Sequence, residues 1–226
     1  IPPIAPCREQ WLMTAQAGSA SLPSPSHASE RQRLRRDMRA RRRALSALAR
    51  RDAALRFPLV AARSRLLRPG LRVGFYVAHD GEADPIHLLA RARTLGCQIF
   101  LPVITDYRRN RMQFVQFDAS EPLVANRFGI AEPKRGRPVA THTLDLVFVP
   151  LVAADPKGVR LGSGAGFYDR CLVRLRACRR WRRPKLIGLA YEFQRVTHIP
   201  AAPWDVPLDA VLTENALHRT RGIHSE

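Results

Sequence analysis

Lysine is scarce in this chain. Of its 38 basic residues only Lys134, Lys157 and Lys185 are lysines, and all the others are arginines. Acidic residues are few as well, 19 in 226, so the formal net charge is +19 and the pI is near 11.4. That balance alone suggests a polyanion as partner, but no nucleic-acid recognition motif accompanies it, and so lopsided a use of arginine is equally the mark of a coding bias. Cysteine is sparse too: Cys7, Cys97, Cys171 and Cys178 form no C-x-x-C pair, which excludes a zinc ribbon and a disulfide framework. Cys171 and Cys178 are spaced to share a face of one helix as small apolar residues. Long hydrophobic runs are missing, and no basic stretch followed by an apolar core opens the chain, so neither a membrane span nor a secretory signal is read and a cytoplasmic protein is expected.

What is present is concentrated between Asp145 and Arg170, DLVFVPLVAADPKGVRLGSGAGFYDR. Leu144 to Val152 is a short, almost unbroken apolar run, as in a strand buried on both faces of a parallel sheet. A turn with Asp155, Pro156 and Gly158 follows, then glycines at every second position, Gly162, Gly164 and Gly166. Such a loop lets the backbone approach a ligand and turn its N–H groups inward. It feeds straight into a basic helical segment reaching about Trp181, whose N-terminus adds its dipole in favour of an anion. The Walker lysine and serine are absent, and the glycine spacing is not that of a dinucleotide turn. Alone, G-x-G-x-G is a weak signal that a tight structural turn would also give. Arg160 just before it and Asp169 just after it supply a cation for phosphate and a carboxylate for Mg²⁺.

At these residues the chain resembles the 5-formyltetrahydrofolate cyclo-ligases, also called methenyltetrahydrofolate synthetases. Their pattern D-x-x-G-x-R-L-G-x-G-x-G-[YF]-Y-D-R is met by Asp155, Gly158, Arg160 to Gly162, Gly164, and Gly166 to Arg170, and further resemblance runs from about Glu30 to Glu214. The resemblance implies a single α/β domain over residues 29–226. It implies a three-layer, mostly parallel, Rossmann-like sheet of the CoA-transferase-like kind. It further implies ATP- and Mg²⁺-dependent cyclisation of 5-formyltetrahydrofolate to 5,10-methenyltetrahydrofolate by a monomer.

The implied nucleotide contacts are Arg31 and Arg35 on the first helix, placed through the R-x-x-L-S ending at Ser46, together with Arg160, Leu161, Gly162, Ser163, Gly164, Ala165, Gly166, Phe167 and Tyr168. Arg31 stands where relatives carry lysine, and Ser163 and Ala165 stand where many carry larger residues or glycine. The folate is implied to touch Val77, Glu82 and the stretch Ser163 to Phe167. Glu82 sits in Y-V-A-H-D-G-E-A-D, matching the family's Y-[VI]-x-x-D-G-E-x-D, and with Arg160 and Tyr168 it forms the catalytic set. The metal is implied at Asp169 and Asp209, with Asp205 the competing carboxylate.

The remaining chain is read coarsely. Residues 1–28, rich in Pro, Ser and Ala, are expected to be a disordered or non-native extension. Leu34, Met38, Leu45, Leu48 and Leu55 are spaced for a helical stripe, and a second helix is expected to run to Leu67, stopped by Pro69 and Gly70. Strands are expected in Leu71 to Ala78, Cys97 to Val103, Lys185 to Glu192 and Ala210 to Leu212, a helix over Pro85 to Leu95, and an antiparallel edge strand over Met112 to Phe117. Glu132 and Pro133 read as structural. Two rival functions stay open: an arginine-rich nucleic-acid-binding module, and a related phosphorylated-metabolite enzyme that would share the glycine loop without needing Glu82.

Overall fold

The computed structural model describes residues 25–118, 120–177 and 184–221. The proposed extension up to residue 24, Cys7, Cys178 and the stretch leading to Trp181 lie outside the described residues. The first helix, α1 (Pro25–Ala44), already includes residues 25–28. It is separated from α2 (Ala47–Arg63) by Ser46, whose hydroxyl accepts the Ala49 N–H at 3.1 Å. This side chain caps α2 and ends the continuity of the leucine stripe. Leu48 and Leu55 consequently face solvent, 68% and 46% exposed, whereas Met38 is buried.

Then come β1 (Arg72–Gly74), α3 (Ile86–Thr94), β2 (Gln98–Asp106), β3 (Arg111–Gln116), the hairpin β4 (Leu123–Ala125) and β5 (Ala131–Pro133), and β6 (Pro138–Val139). The second half holds β7 (Leu146–Pro150), the hairpin β8 (Ala153–Ala154) and β9 (Arg160–Leu161), α4 (Phe167–Ala177), β10 (Lys185–Leu189), β11 (Ala210–Leu212) and β12 (Leu217–Arg219). The main sheet has eight strands in the order β12-β11-β10-β7-β1-β2-β3-β6. The five central strands, β11 through β2, are parallel; β12 and β3 flank them antiparallel, and β6 pairs antiparallel with β3. The expected edge strand is thus antiparallel but not at the edge, because β6 pairs outside it.

Alternation along β7 builds the layers. Leu146 and Phe148 point to one face, where Phe57 and Val60 of α2 and Leu88 and Leu89 of α3 cover them. Val147 and Val149 point to the other, against Leu172 and Leu175 of α4. A strand apolar at every position is what two covered faces require, and the result is the expected three-layer α/β fold. A smaller cluster joins Leu34 and Met38 of α1 to Val159, Leu161 and Ile199. It fastens α1 onto the β8–β9 hairpin rather than onto the sheet, and so brings the arginines of α1 over the glycine loop.

Candidate active site

The hairpin turn that precedes the loop is fixed by Asp155. One carboxylate oxygen accepts the N–H groups of Lys157 and Val159, both at 2.9 Å, and the other accepts that of Ile199 at 3.2 Å. The loop then leaves β9 and ends at the N-terminus of α4. Gly164 has φ +110° and Gly166 φ +74°, conformations that L side chains rarely adopt, and a Cβ at Gly164 would enter open space. The loop carbonyls are turned towards arginines: Gly162 accepts from Arg35 at 3.0 Å, Ser163 from Arg39 at 2.7 Å and Ala165 from Arg170 at 2.9 Å. Among the described residues no N–H of Gly162, Ser163, Gly164, Ala165 or Gly166 donates to a protein acceptor. Carbonyls spent on arginines and N–H groups left over make a cradle for an anion.

The charges lie beneath this cradle, and most are paired. Arg160 is 3% exposed; it donates to the Val206 carbonyl at 2.5 Å and is bound to the carboxylate of Asp169. Arg31, also buried, makes a two-pronged contact with Asp205 at 2.7 and 3.1 Å and donates to the Pro200 carbonyl at 2.7 Å. Arg35 sits among these groups. Burial and the neighbouring Arg31 and Arg39 lower its pKa, while the charges of Asp205 and Asp169 both oppose that fall.

The structure therefore gathers Arg31, Arg35, Arg160, the loop and Asp169. The side chain of Leu161 goes into the core instead, leaving only its backbone at the site. Asp209 is not gathered. It stands at the start of β11, where its carboxylate accepts the Leu186 N–H at 2.8 Å and its own N–H bonds the Leu186 carbonyl at 2.8 Å. That is the amino end of the parallel strands, away from the carboxyl end at which the β1–α3 connection and the α4 N-terminus meet. Asp205 takes the position beside the arginines.

At the carboxyl end of β1 the chain turns sharply. Asp80 (φ 50°) and Gly81 (φ 74°) are the central pair, and Glu82 N–H closes the turn on the His79 carbonyl at 3.1 Å. Two successive positive φ values mark a type I′ turn, for which Asp-Gly is a favoured pair. Glu82 follows, accepting the His79 N–H at 3.2 Å. Burial is the main cause that pushes its pKa up to about 7, against the charges of Arg42 and Arg39. Glu82 in turn helps to raise the phenols of Tyr76 and Tyr168, both already raised by burial. The Tyr168 hydroxyl is buried without a hydrogen-bond partner, and Val77 packs on the core beneath the turn.

Several contacts were not read from the sequence. Arg39 repeats the spacing of Arg31 and Arg35, four residues further along α1, and that spacing was the available signal. Tyr107, Phe128 and Phe167 form an edge-to-face series with centroids 5.5 and 6.2 Å apart, and the Arg127 guanidinium lies 4.2 Å from the Tyr107 ring centre. Phe128 sits at the tip of the β4–β5 hairpin and is 44% exposed. Glu132 braces the base of that hairpin by accepting from Ile104 N–H and Asn126, both at 3.2 Å, in keeping with a structural role.

A family model described as the 5-formyltetrahydrofolate cyclo-ligase family matches residues 27–214. The chain belongs to that family. It is 34% identical over 187 residues to the 5-formyltetrahydrofolate cyclo-ligase of Haemophilus influenzae, covering 81% of this chain and 97% of the relative. It is 37% identical over 145 residues to that of Escherichia coli K12, covering 62% and 76%. Among solved structures it is similar to Aquifex aeolicus 5,10-methenyltetrahydrofolate synthetase, with a TM-score of 0.70, 28% identity, and coverage of 87% of this chain and 95% of that one. The chain is accordingly an enzyme of the cyclo-ligase family, built on that family's α/β fold, and no helix among its described residues is long and apolar enough to cross a membrane.

Proposed function

We propose that this cyclo-ligase closes 5-formyltetrahydrofolate to 5,10-methenyltetrahydrofolate at the expense of ATP, with ADP and phosphate released. The observation that supports this reading best is the glycine loop, whose carbonyls are bound by Arg35, Arg39 and Arg170 while its N–H groups remain available. Backbone N–H groups, a helix N-terminus and fixed guanidinium groups are what a transferring phosphoryl group needs, since that reaction asks for positioning and charge neutralisation rather than a protein nucleophile.

The chemistry follows from the substrate. The formyl oxygen on N5 is amide-like and leaves poorly. Transfer of the γ-phosphoryl group to it, with cleavage of the β–γ bridging bond, makes phosphate the leaving group. The N10 lone pair then forms the new C–N bond, the C–O bond to phosphate breaks, and the N10 proton is released. Arg31, Arg35, Arg160 and the stretch from Leu161 to Tyr168 bind the nucleotide in this reading. Glu82, Val77 and the stretch from Ser163 to Phe167 hold the folate, with Phe128 and Tyr107 extending Phe167 into an aromatic wall. Tyr168, kept a neutral phenol by burial, offers an unspent hydroxyl beside Glu82.

A divalent cation fits at the carboxylates that flank Arg35. Asp169 and Asp205 both act on that guanidinium, and Mg²⁺ commonly takes one or two protein carboxylates and completes its shell with water and phosphate oxygens. Asp209 is the poorer candidate because it lies at the amino end of the parallel strands, beside Leu186 at the start of β10, away from the glycine loop and its arginines. When bound, Mg²⁺ would neutralise charge on the phosphoryl oxygens.

The arginines of α1 bear on the nucleic-acid alternative. Arg31, Arg35, Arg39, Arg42 and Arg43 are each engaged with a carboxylate or carbonyl of this same chain. The test is the rise in near-ultraviolet absorbance of the methenyl product when purified protein meets 5-formyltetrahydrofolate and MgATP, with Asp169→Asn as control. A signal that needs ATP and is lost in the control is expected. A folded protein that binds MgATP yet gives none would return the function to another phosphorylated-metabolite reaction on the same fold.

A further inference from the structure

The arginines of α1 reach two loops, not one. Arg35 and Arg39 hold carbonyls of the glycine loop, whereas Arg42 and Arg43 reach the carboxylate of Asp80 in the turn before Glu82, at 3.0 Å and 3.3 Å. The two contacts to Asp80 differ in kind. Arg43 is 66% exposed along its side chain, so its pairing is worth little. Arg42 is 3% exposed overall, and its Nε has no hydrogen-bond partner. A guanidinium shut away from water cannot leave its carboxylate without a large penalty. Arg42 also packs on the turn itself: a Cβ added at Gly81 would lie 3.8 Å from both its Cγ and its carbonyl oxygen.

The turn needs such a hold. Asp80 is a non-glycine residue at φ 50°, a conformation that costs on the order of 1 kcal/mol and persists only where surroundings fix it. From the other side the Tyr191 hydroxyl donates to the carbonyls of Gly81 and Glu82 at 3.4 and 3.3 Å. We propose that Arg42 is a positioning residue for the folate site: through Asp80 it fixes the turn that aims Glu82, and it ties that turn to the helix that holds the glycine loop. This rests on the reading of Glu82 as a folate-binding carboxylate. Arg42 itself acts through Asp80 and is not placed against substrate.

The experiment compares Arg42→Ala, Arg42→Lys, Asp80→Asn and the double variant Arg42→Ala/Asp80→Asn with Glu82→Gln. It reads KM for 5-formyltetrahydrofolate, KM for MgATP, kcat and the thermal midpoint of each. Misplacing one positioning group by an ångström is enough for the expected effect, a rise of about tenfold or more in the folate KM of Arg42→Ala while the MgATP KM stays within about twofold. Arg42→Lys restores most of that loss, and the double variant is no worse than Arg42→Ala because the two residues act as one unit. Equal rises in both KM values with a fallen thermal midpoint, or an unchanged folate KM in a folded Arg42→Ala protein, would overturn the assignment. Should Arg42→Ala not fold, Asp80→Asn answers the same question, since it removes the charge at the exposed end of the pair. An unchanged folate KM in Glu82→Gln would overturn the reading of Glu82 and this inference with it. A raised KM there beside an unchanged one in Arg42→Ala would overturn this inference alone.

Discussion

Arg160 and Asp169 are bound to each other beneath the glycine loop, so the cation and the carboxylate that flank it form one unit. The guanidinium is almost fully buried, at 2% side-chain exposure, while the carboxylate is 27% exposed. Removing the carboxylate leaves a buried charge with the Val206 carbonyl but no counter-charge, a loss of about 3 kcal/mol or more. Asp169→Asn should therefore lower the thermal midpoint as well as abolish MgATP-dependent turnover. Arg160→Met with Asp169→Leu, which removes both charges, should regain stability but not activity. Circular dichroism melts beside the absorbance assay separate the two effects, and a double variant less stable than Asp169→Asn would show that the pair is not the source of the loss.

The pair Arg31 and Asp205 tests whether a fork is needed where the family resemblance implies an ammonium. The fork of Arg31 meets both carboxylate oxygens and the Pro200 carbonyl besides, three contacts that one ammonium cannot reproduce in the same geometry. Arg31→Ala is expected to cost about 3–5 kcal/mol of stability. Arg31→Lys keeps the charge and should cost about 1–2 kcal/mol, the loss of one charge-assisted bond. Urea denaturation gives both numbers. Equal midpoints for the lysine variant and the parent chain would mean that the fork adds nothing.

How far the sequence could carry these assignments depended on the length of each signal. β7 was legible because a strand covered on both faces has no polar position, and Leu146 to Val149 supply none. The hairpins β4–β5 and β8–β9, the strand β6 and the last strand β12 are two or three residues long, too short to show a period of two, and were not expected. The break between α1 and α2 turned on a single serine cap within a run that reads as helix throughout. At the site, the loop and its flanking charges were evident because their neighbours in space are neighbours in sequence. Asp205 and Asp209 are four residues apart in a proline-rich stretch, and only the path of that stretch, from Arg31 down to the start of β11, decides which carboxylate meets the arginines.

That difference predicts opposite behaviour for the two aspartates. Asp205→Asn should raise the Mg²⁺ concentration needed for half-maximal turnover by about tenfold, since Mg²⁺ relies on few protein carboxylates, and should also cost about 3 kcal/mol or more of stability because buried Arg31 loses its carboxylate. Asp209→Asn should leave the Mg²⁺ requirement unchanged and cost about 1–2 kcal/mol of stability, because an amide oxygen accepts the Leu186 N–H less strongly than a carboxylate does. Titrating activity against Mg²⁺ at saturating ATP decides between them. A raised requirement in Asp209→Asn alone would move the metal back to the start of β11.

Glu82 carries a pH dependence whose sign is fixed by the direction of its shift. Burial, the largest cause, raises its folded pKa to about 7, against the opposing charges of Arg42 and Arg39 and with Asp80 adding to the rise. The unfolded chain has the ordinary carboxylate value, so between that value and about pH 7 the folded protein binds more protons than the unfolded one. Stability therefore falls as pH rises through this window and levels off above it. Glu82→Gln keeps the shape and cannot ionise. It should match the parent chain at pH 4 and exceed it by about 1–3 kcal/mol at pH 8. Function runs the other way in the proposed reading, where Glu82 holds the folate: ionised, it would be the better acceptor for N–H groups, so kcat/KM of the parent should climb through about pH 7, and Glu82→Gln should lose both that limb and most of its affinity for the folate. Parallel stability curves for the two proteins between pH 4 and pH 8 would mean that the carboxylate is solvated in the folded state, and the limb would then belong to another group.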